Sequence, residues 1–509
     1  MSAPPETVSG PAIRSLIPAR IDRLPWSKFH TRLVIALGVA WVLDGLEITI
    51  AANVGPDLTQ KAALNMSASS VADIATWYLI GEVIGALFFG QLSDKLGRKN
   101  LFIITLGVYL VGSGLTALTP RGAYWFLFLY ATRVIAGMGI GGEYAAINSA
   151  IDEMIPARYR GRVDIGVNGT YWAGSLIGTG VSLLFLNVIG PVLGWRLAFL
   201  AGPALAAVII YVRRALPESP RWLLTHGRAA EAEQTLTRLE AQVQHDLGRP
   251  LPPADDSQEI EIRPVRRTGY LTLLGLLFTS YRRRAVLGAS LMITQSFLYN
   301  AIFFTYTLVL TKFYGVSATF APVYLIAFAV GNLAGPLTLG RLFDTIGRKP
   351  MISGTYIASG AMLAVSAWLF DQGVLTALTQ TIAWCVIFFF ASAGASAGYL
   401  TVSEIFPLEV RAEAIAVFFA IAQCFGAIGP ILYGALIGAG NDPFRLFIGY
   451  LIGGAVMIIG GLVELLLGVP AQQQPLEAVA RPLSAVAPLS KAAYSPGMLP
   501  SGTGTSAAA

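Results

Sequence analysis

Charge is scarce in this chain. Only 13% of its 509 residues are Asp, Glu, Lys or Arg while 55% are hydrophobic, against roughly 25% charged in an ordinary soluble protein. That balance excludes a soluble enzyme built from several domains. Cysteine is almost missing, and Cys385 and Cys424 both fall inside long apolar runs, which excludes a disulfide framework and a cysteine metal site. The three histidines, His30, His226 and His245, lie outside those runs. No triad and no metal-ligand spacing is present, so no catalytic residue, resident metal or cofactor is expected, and no nucleic-acid partner. The first thirty residues hold prolines and scattered arginines without an apolar core and cleavage site. A cleaved signal peptide is not expected, and the first apolar run serves as the insertion signal.

Long apolar runs are what the chain has instead. A helix needs about 20 residues to cross a hydrocarbon core of about 30 Å. Twelve runs qualify, at 31–55, 71–92, 101–119, 123–149, 163–189, 195–212, 285–311, 320–342, 351–370, 375–402, 415–439 and 445–468. The expected fold class is an all-α membrane protein of twelve transmembrane helices, with the lipid bilayer as its first partner.

A cassette is written twice. "GQLSDKLGRKN" (Gly90 to Asn100) and "GRLFDTIGRKP" (Gly340 to Pro350) place Asp94 and Asp344, Gly97 and Gly347, Arg98 and Arg348, and Lys99 and Lys349 at a common offset of 250. A second pair, "DEMIPARYRG" and "SEIFPLEVRA", sets Glu153, Pro156 and Arg160 against Glu404, Pro407 and Arg411 at an offset of 251. Two cassettes in the same order at nearly one offset imply a duplicated six-helix unit. In such a unit one half rocks against the other around a midplane site, which favours a transporter over a channel.

Twelve spans put both termini on one side, with the loops that carry the cassettes. Short loops there hold Lys95, Arg98, Lys99, Arg158, Arg160, Arg162, Arg348, Lys349 and Arg411, against Lys61, Arg121, Arg196, Lys312 and Arg445 opposite. By the positive-inside rule the cassette side is cytoplasmic, in a plasma (inner) membrane. The expected organisation is an N-terminal cytoplasmic segment (1–30), a first bundle (31–212), a cytoplasmic central loop (213–284), a second bundle (285–468) and a disordered tail (469–509). Within the central loop "HGRAAEAEQTLTRLEAQVQ" has helical composition and "LPPADDSQEIEIRP" reads as linker.

These features resemble the major facilitator superfamily, most closely its sugar-porter and metabolite:proton symporter branches, over residues 20–468. The glycine run "RVIAGMGIGG" (Arg133 to Gly142) and "PESPRWLL" (Pro217 to Leu224) add to the likeness. The run satisfies GxGxxG, but no strand precedes it. Small residues four apart in a span (Gly137 and Gly141, Gly81 and Gly85, Gly174 and Gly178, Gly331 and Gly335) are read as close helix packing. The resemblance implies two pseudo-symmetric bundles, a monomer, and a latch of the paired cassettes: Asp94, Arg98, Glu153 and Arg160 with Asp344, Arg348, Glu404 and Arg411. Their basic residues also set topology.

An ionisable group inside a span needs a partner or a task, since it costs about 2.5–3.5 kcal/mol or more. The first half holds them: Asp44, Glu47, Glu82, Arg133 and Glu143. Asp44 and Glu47 share one helical face, and two carboxylates so placed resist double ionisation, so one is expected to hold a proton. "DGLE" resembles the Asp-Gly-x-Asp of aromatic-acid:proton symporters. It also overlays the sugar-porter carboxylate that carries the proton and pairs with the fourth-helix arginine, here Arg133. Glu143, in a "GGEY" like that of metabolite:proton symporters, joins the coupling candidates. Glu82 is read as hydrogen-bonded and structural.

The sugar-porter pattern of span 7 keeps Gln295 and Asn300, but its first Gln is Thr294. The span 10 Trp has become Tyr399, and the span 5 Gln aligns with Trp172. These losses remove hydrogen bonds that a hexose needs and add aromatic surface. The expected solute is a small organic or aromatic acid moved by proton-coupled symport, with the proton as coupling ion and Trp172, Gln295, Asn300 and Tyr399 as its contacts. Proton-driven efflux of an amphipathic compound and a non-transporting sensor are the alternatives.

Overall fold

The computed structural model describes residues 12–213, 217–263, 269–317, 320–438 and 442–485. Twelve of its helices are long and apolar enough to cross a membrane, and they match the twelve predicted runs in order. Several run further than predicted. Span 7, Arg282–Tyr314, has 33 residues, about 50 Å at 1.5 Å per residue. The charged turns that a hydropathy reading trims continue the helices past the hydrocarbon, and the cassettes stand on them.

Both halves pack to one plan. Span 2 (Ala68–Leu96) lies on span 4 (Phe126–Met154) as span 8 (Ala321–Thr345) lies on span 10 (Ala377–Glu404). Glycine sets these distances. A Cβ on Gly81 would stand 2.2 Å from the carbonyl oxygen of Val134, and one on Gly141 2.1 Å from that of Glu82. Spans 2 and 4 therefore touch backbone to backbone, as the small-residue spacing predicts. The halves meet along span 8 on span 5 and span 2 on span 11.

Spans 5 and 11 are each broken in the middle. Span 5 is Ala157–Gly169 followed by Tyr171–Leu184, and span 11 is Arg411–Gly426 followed by Ile428–Gly438. The breaks fall in corresponding spans of the two halves, and irregular backbone at membrane depth belongs where protein covers it.

On the face that carries the cassettes, charges cross between the halves. Asp344 accepts from the backbone N–H groups of Gly161 (3.1 Å) and Arg162 (2.9 Å) while holding Arg348 at 2.9 Å. Arg160 reaches Glu404 at 3.5 Å, and Arg411 reaches Asp152 at 3.9 Å. Arg348 forks onto both oxygens of Glu404. Arg98 makes the matching pairing in the first half, on Glu153 at 2.7 Å. The side chain of Asp94 lies outside the described set. Gly97 (φ 85°) and Gly347 (φ 120°) occupy the left-handed region, as a sharp turn between spans requires. A Cβ on Gly97 would also meet the carboxylate of Glu218, which accepts from the N–H groups of Arg98 and Lys99. Burial pushes the Glu218 carboxyl above its usual range.

Two expectations for the soluble segments fail. The tail is ordered as far as Ala485: Glu477 pairs with Arg221 at 3.2 Å, Arg160 donates to the carbonyl of Gln474, and Glu409 accepts from the N–H groups of Leu483 and Ser484. Residues 486–509 lie outside the described set. The segment read as linker contains a strand, Ile260–Ile262, antiparallel to Ile13–Ser15, and Ala485 bridges onto Ile262. Composition marks these stretches as low in apolar content, yet buried arginines and open strand edges of the folded protein supply their partners. The helix expected in the central loop is present as Ala229–Leu247.

Two outcomes follow for measurement. Gly141→Leu should lower the melting temperature in detergent by an overpacking penalty of roughly 1–3 kcal/mol. Gly107→Leu, where a Cβ meets nothing within 4 Å, should not, and equal melting of the two variants would refute backbone contact as the cause. Asp344→Asn should leave the fold intact and widen the distance between spin labels at Lys95 and Arg341, exposed on opposite halves. An unchanged distance would show that Asp344 does not hold the face closed.

Candidate functional site

A cavity of ≈ 130 Å³ lies between the halves. From the first half come Trp41 and Asp44 of span 1, Glu82 of span 2, Tyr144 of span 4, and Asn168, Tyr171 and Trp172 at the break in span 5. From the second half come Gln295, Ser296, Tyr299, Asn300 and Phe303 of span 7, Ser392, Ser396 and Tyr399 of span 10, and Phe419 and Gln423 of span 11. Trp172, Gln295, Asn300 and Tyr399, the four contacts expected from the sequence, all line it. Asn168 and Trp172, four residues apart on either side of Thr170, both face inward.

Asp44 and Glu47 share a helical face, but the fold separates their surroundings. Asp44 borders the cavity, as does Glu82, and accepts from the hydroxyls of Tyr144 and Tyr78. Glu82, read as structural, is hydrogen-bonded across the halves: it accepts from Gln423 Nε2 of the second half at 2.6 Å. Gln423 accepts in turn from Ser296 at 3.5 Å, and Asn300 donates to Ser296 at 3.3 Å. A polar chain therefore runs from span 2 through span 11 to span 7.

Glu47 lies away from the cavity. It pairs with Arg133 and accepts from Tyr109 Oη at 2.8 Å and Ser113 Oγ at 3.0 Å, all of them buried. The Glu47 to Arg133 pairing expected from the sequence is thus formed. The guanidinium lies 4.5 Å from the ring centre of Tyr78, and the hydroxyl of that tyrosine donates to Asp44 at 3.2 Å. Tyr78 connects the buried ion pair to the cavity carboxylates. Glu143, the other coupling candidate, is buried and takes a 3.4 Å hydrogen bond from Thr105 of span 3. It does not line the cavity.

The sequence reading missed Tyr78, Tyr144 and Gln423. Tyr144 stands beside Glu143 in the quoted motif, and Glu82 was visible as an ionisable group in a span. Gln423 and Tyr78 carry no signal of their own, because their roles depend on which helix faces which.

The family model described as "Sugar (and other) transporter" matches residues 47–481. A niacin transporter of Acinetobacter baylyi is 27% identical over 462 residues, covering 91% of this chain and 99% of the relative. A provisionally assigned metabolite transport protein of Escherichia coli K12 is 28% identical over 479 residues, covering 91% and 96%. Among solved structures, the major facilitator superfamily proton:xylose symporter bound to 6-bromo-6-deoxy-D-glucose aligns with a TM-score of 0.73 at 20% identity, covering 89% of this chain and 99% of that one. Twelve spans in two like halves around a central cavity agree with all of these, and the chain belongs to the sugar (and other) transporter family of the major facilitator superfamily.

Proposed function

We propose that this membrane transporter is a proton-coupled symporter of a small, flat organic metabolite, working by alternating access in the plasma membrane with the cassette face and both termini cytoplasmic. The connection Glu47, Arg133, Tyr78, Asp44 carries the reading. A coupled carrier needs a group that takes a proton from one side, releases it to the other and informs the solute site. Glu47 supplies the first, and Tyr78 the last. Protonating Glu47 would free Arg133 from its ion pair. The guanidinium would then act on the ring of Tyr78, whose hydroxyl holds Asp44 at the cavity wall.

The lining supports a solute that stacks. Trp172 lies 5.9 Å from Tyr299 and 5.6 Å from Phe303, centre to centre, offering ring faces. Gln295, Asn168 and Asn300 offer amides. A cavity of ≈ 130 Å³ suits one small ring, by comparison with the ~150 Å³ cavity that takes benzene. The ring-sized niacin of the Acinetobacter baylyi relative supports the same solute size. The organic-acid preference of the sequence reading finds no support in the lining, which holds carboxylates.

In liposomes with an imposed pH gradient, Glu47→Gln should retain exchange of solute down its own gradient and lose accumulation. Full accumulation by Glu47→Gln would end this account of coupling. Tyr399→Ala and Gln295→Ala should each weaken apparent affinity by ~1–3 kcal/mol while the response to the proton gradient persists. Unchanged affinities would remove both residues from the binding site.

A further inference from the structure

The lining is lopsided in charge. Its ionisable acids, Asp44 and Glu82, adjoin one another, and no lysine, arginine or histidine lines the cavity among the described residues. The nearest guanidinium of the buried pair, Arg133, is engaged by Glu47 and lies behind the ring of Tyr78. Ionised, either acid puts negative charge on the cavity wall. The donors that meet it, the Tyr78 and Tyr144 hydroxyls and the Gln423 amide, are all neutral. A buried charge without a counter-ion is disfavoured, and this one faces the space where the solute sits.

Aromatic rings close around the same spot. Trp41 lies 4.5 Å from Tyr144 and 5.2 Å from Tyr399, and Phe419 lies 4.3 Å from Tyr144, centre to centre. Tyr144 belongs to both systems, since its hydroxyl is on Asp44 and its ring is in the cluster. Ring faces carry negative quadrupole potential and attract cations within about 6 Å. Acids and rings together favour positive charge, and both repel an anion.

We propose that the cavity selects a small monovalent organic cation, its charged nitrogen seated between the Asp44 and Glu82 carboxyls and the wall formed by Trp41, Tyr144, Tyr399 and Phe419. The proposal rests on the transport reading only in taking this cavity as the solute site. It divides the two carboxylates of span 1 by task. Asp44, with Glu82, reads the charge of the solute, and Glu47, with Arg133, carries the coupling proton. The remaining lining, Trp172, Tyr299 and Phe303, takes the ring or alkyl body.

The test is binding by the full chain in nanodiscs, measured calorimetrically at neutral pH without any gradient. The probes are three one-ring compounds of similar size and different charge: benzylammonium, benzyl alcohol and benzoate. Benzylammonium should bind at least about tenfold more tightly than benzyl alcohol, with benzoate weakest. Glu82→Gln should reduce the preference for the cation over the alcohol severalfold, and Glu82→Asp should restore part of it. Benzoate binding as tightly as benzylammonium, or no binding of benzylammonium at millimolar concentration, overturns the proposal, as does a Glu82→Gln variant with full cation preference. Should Glu82→Gln not fold, the charge series on the unmodified chain decides alone. Because no gradient is applied, a chain that binds the cation but does not accumulate it would leave this inference standing and remove the coupling account instead.

Discussion

A charge in hydrocarbon must be neutralised, shared or kept from forming, and the interior of this protein is arranged by that requirement. The group of ionisable residues in the first half resolves into two separate solutions. Glu47 is neutralised by Arg133 and two hydroxyl donors. Asp44 and Glu82 both stand at the cavity wall under neutral donors from spans 2, 4 and 11. Three residues apart on one helix, the two acids face different neighbours, because the first lies against the interface between the halves and the second lies inside its own bundle. The same requirement governs the cassette face, where buried arginines meet carboxylates drawn from both halves.

Backbone proximity makes those pairings possible. Where spans 2 and 4 touch at Gly81, Gly137 and Gly141, Glu82 is brought within reach of Asp44 and of span 11. Gly161 serves the same end on the cassette face. A Cβ there would fall 2.4 Å from a carboxylate oxygen of Asp344, so the bare backbone lets that acid reach the N–H groups beyond it. Span 5 presents Asn168 and Trp172 to the cavity from one face, as residues four apart do. Dispersion, hydrogen bonding and Coulomb attraction therefore act at distances set by residues with no side chain.

Much of the candidate site was legible beforehand, for reasons particular to each residue. Asp44, Glu47 and Arg133 are costly in a span, so their presence alone marks them. Gln295, Asn300, Tyr399 and Trp172 stood out through their places in a known pattern, and all four line the cavity. Glu82 was visible as an ionisable group in a span but was read as structural. The carboxylate three positions along the same helix seemed the natural partner for Asp44, whereas the acid that lines the cavity with it comes from span 2. The tail to Ala485 was misjudged because composition reports what a segment can bury by itself. It does not report the arginines, acids and strand edges that the folded protein presents to it.

The sequence by itself determined the number of spans, the duplication, the reserve of charge in the first half and the cassettes, because hydrocarbon thickness and the cost of buried charge act on local stretches of chain. Only the tertiary structure decided which acid meets which base, that Tyr78 joins the ion pair to the cavity, and that Gln423 completes the acidic pair from the opposite half. These are contacts between residues as much as 341 positions apart, and their geometry comes from helix packing and pseudo-symmetry. No periodicity or motif within one span encodes that.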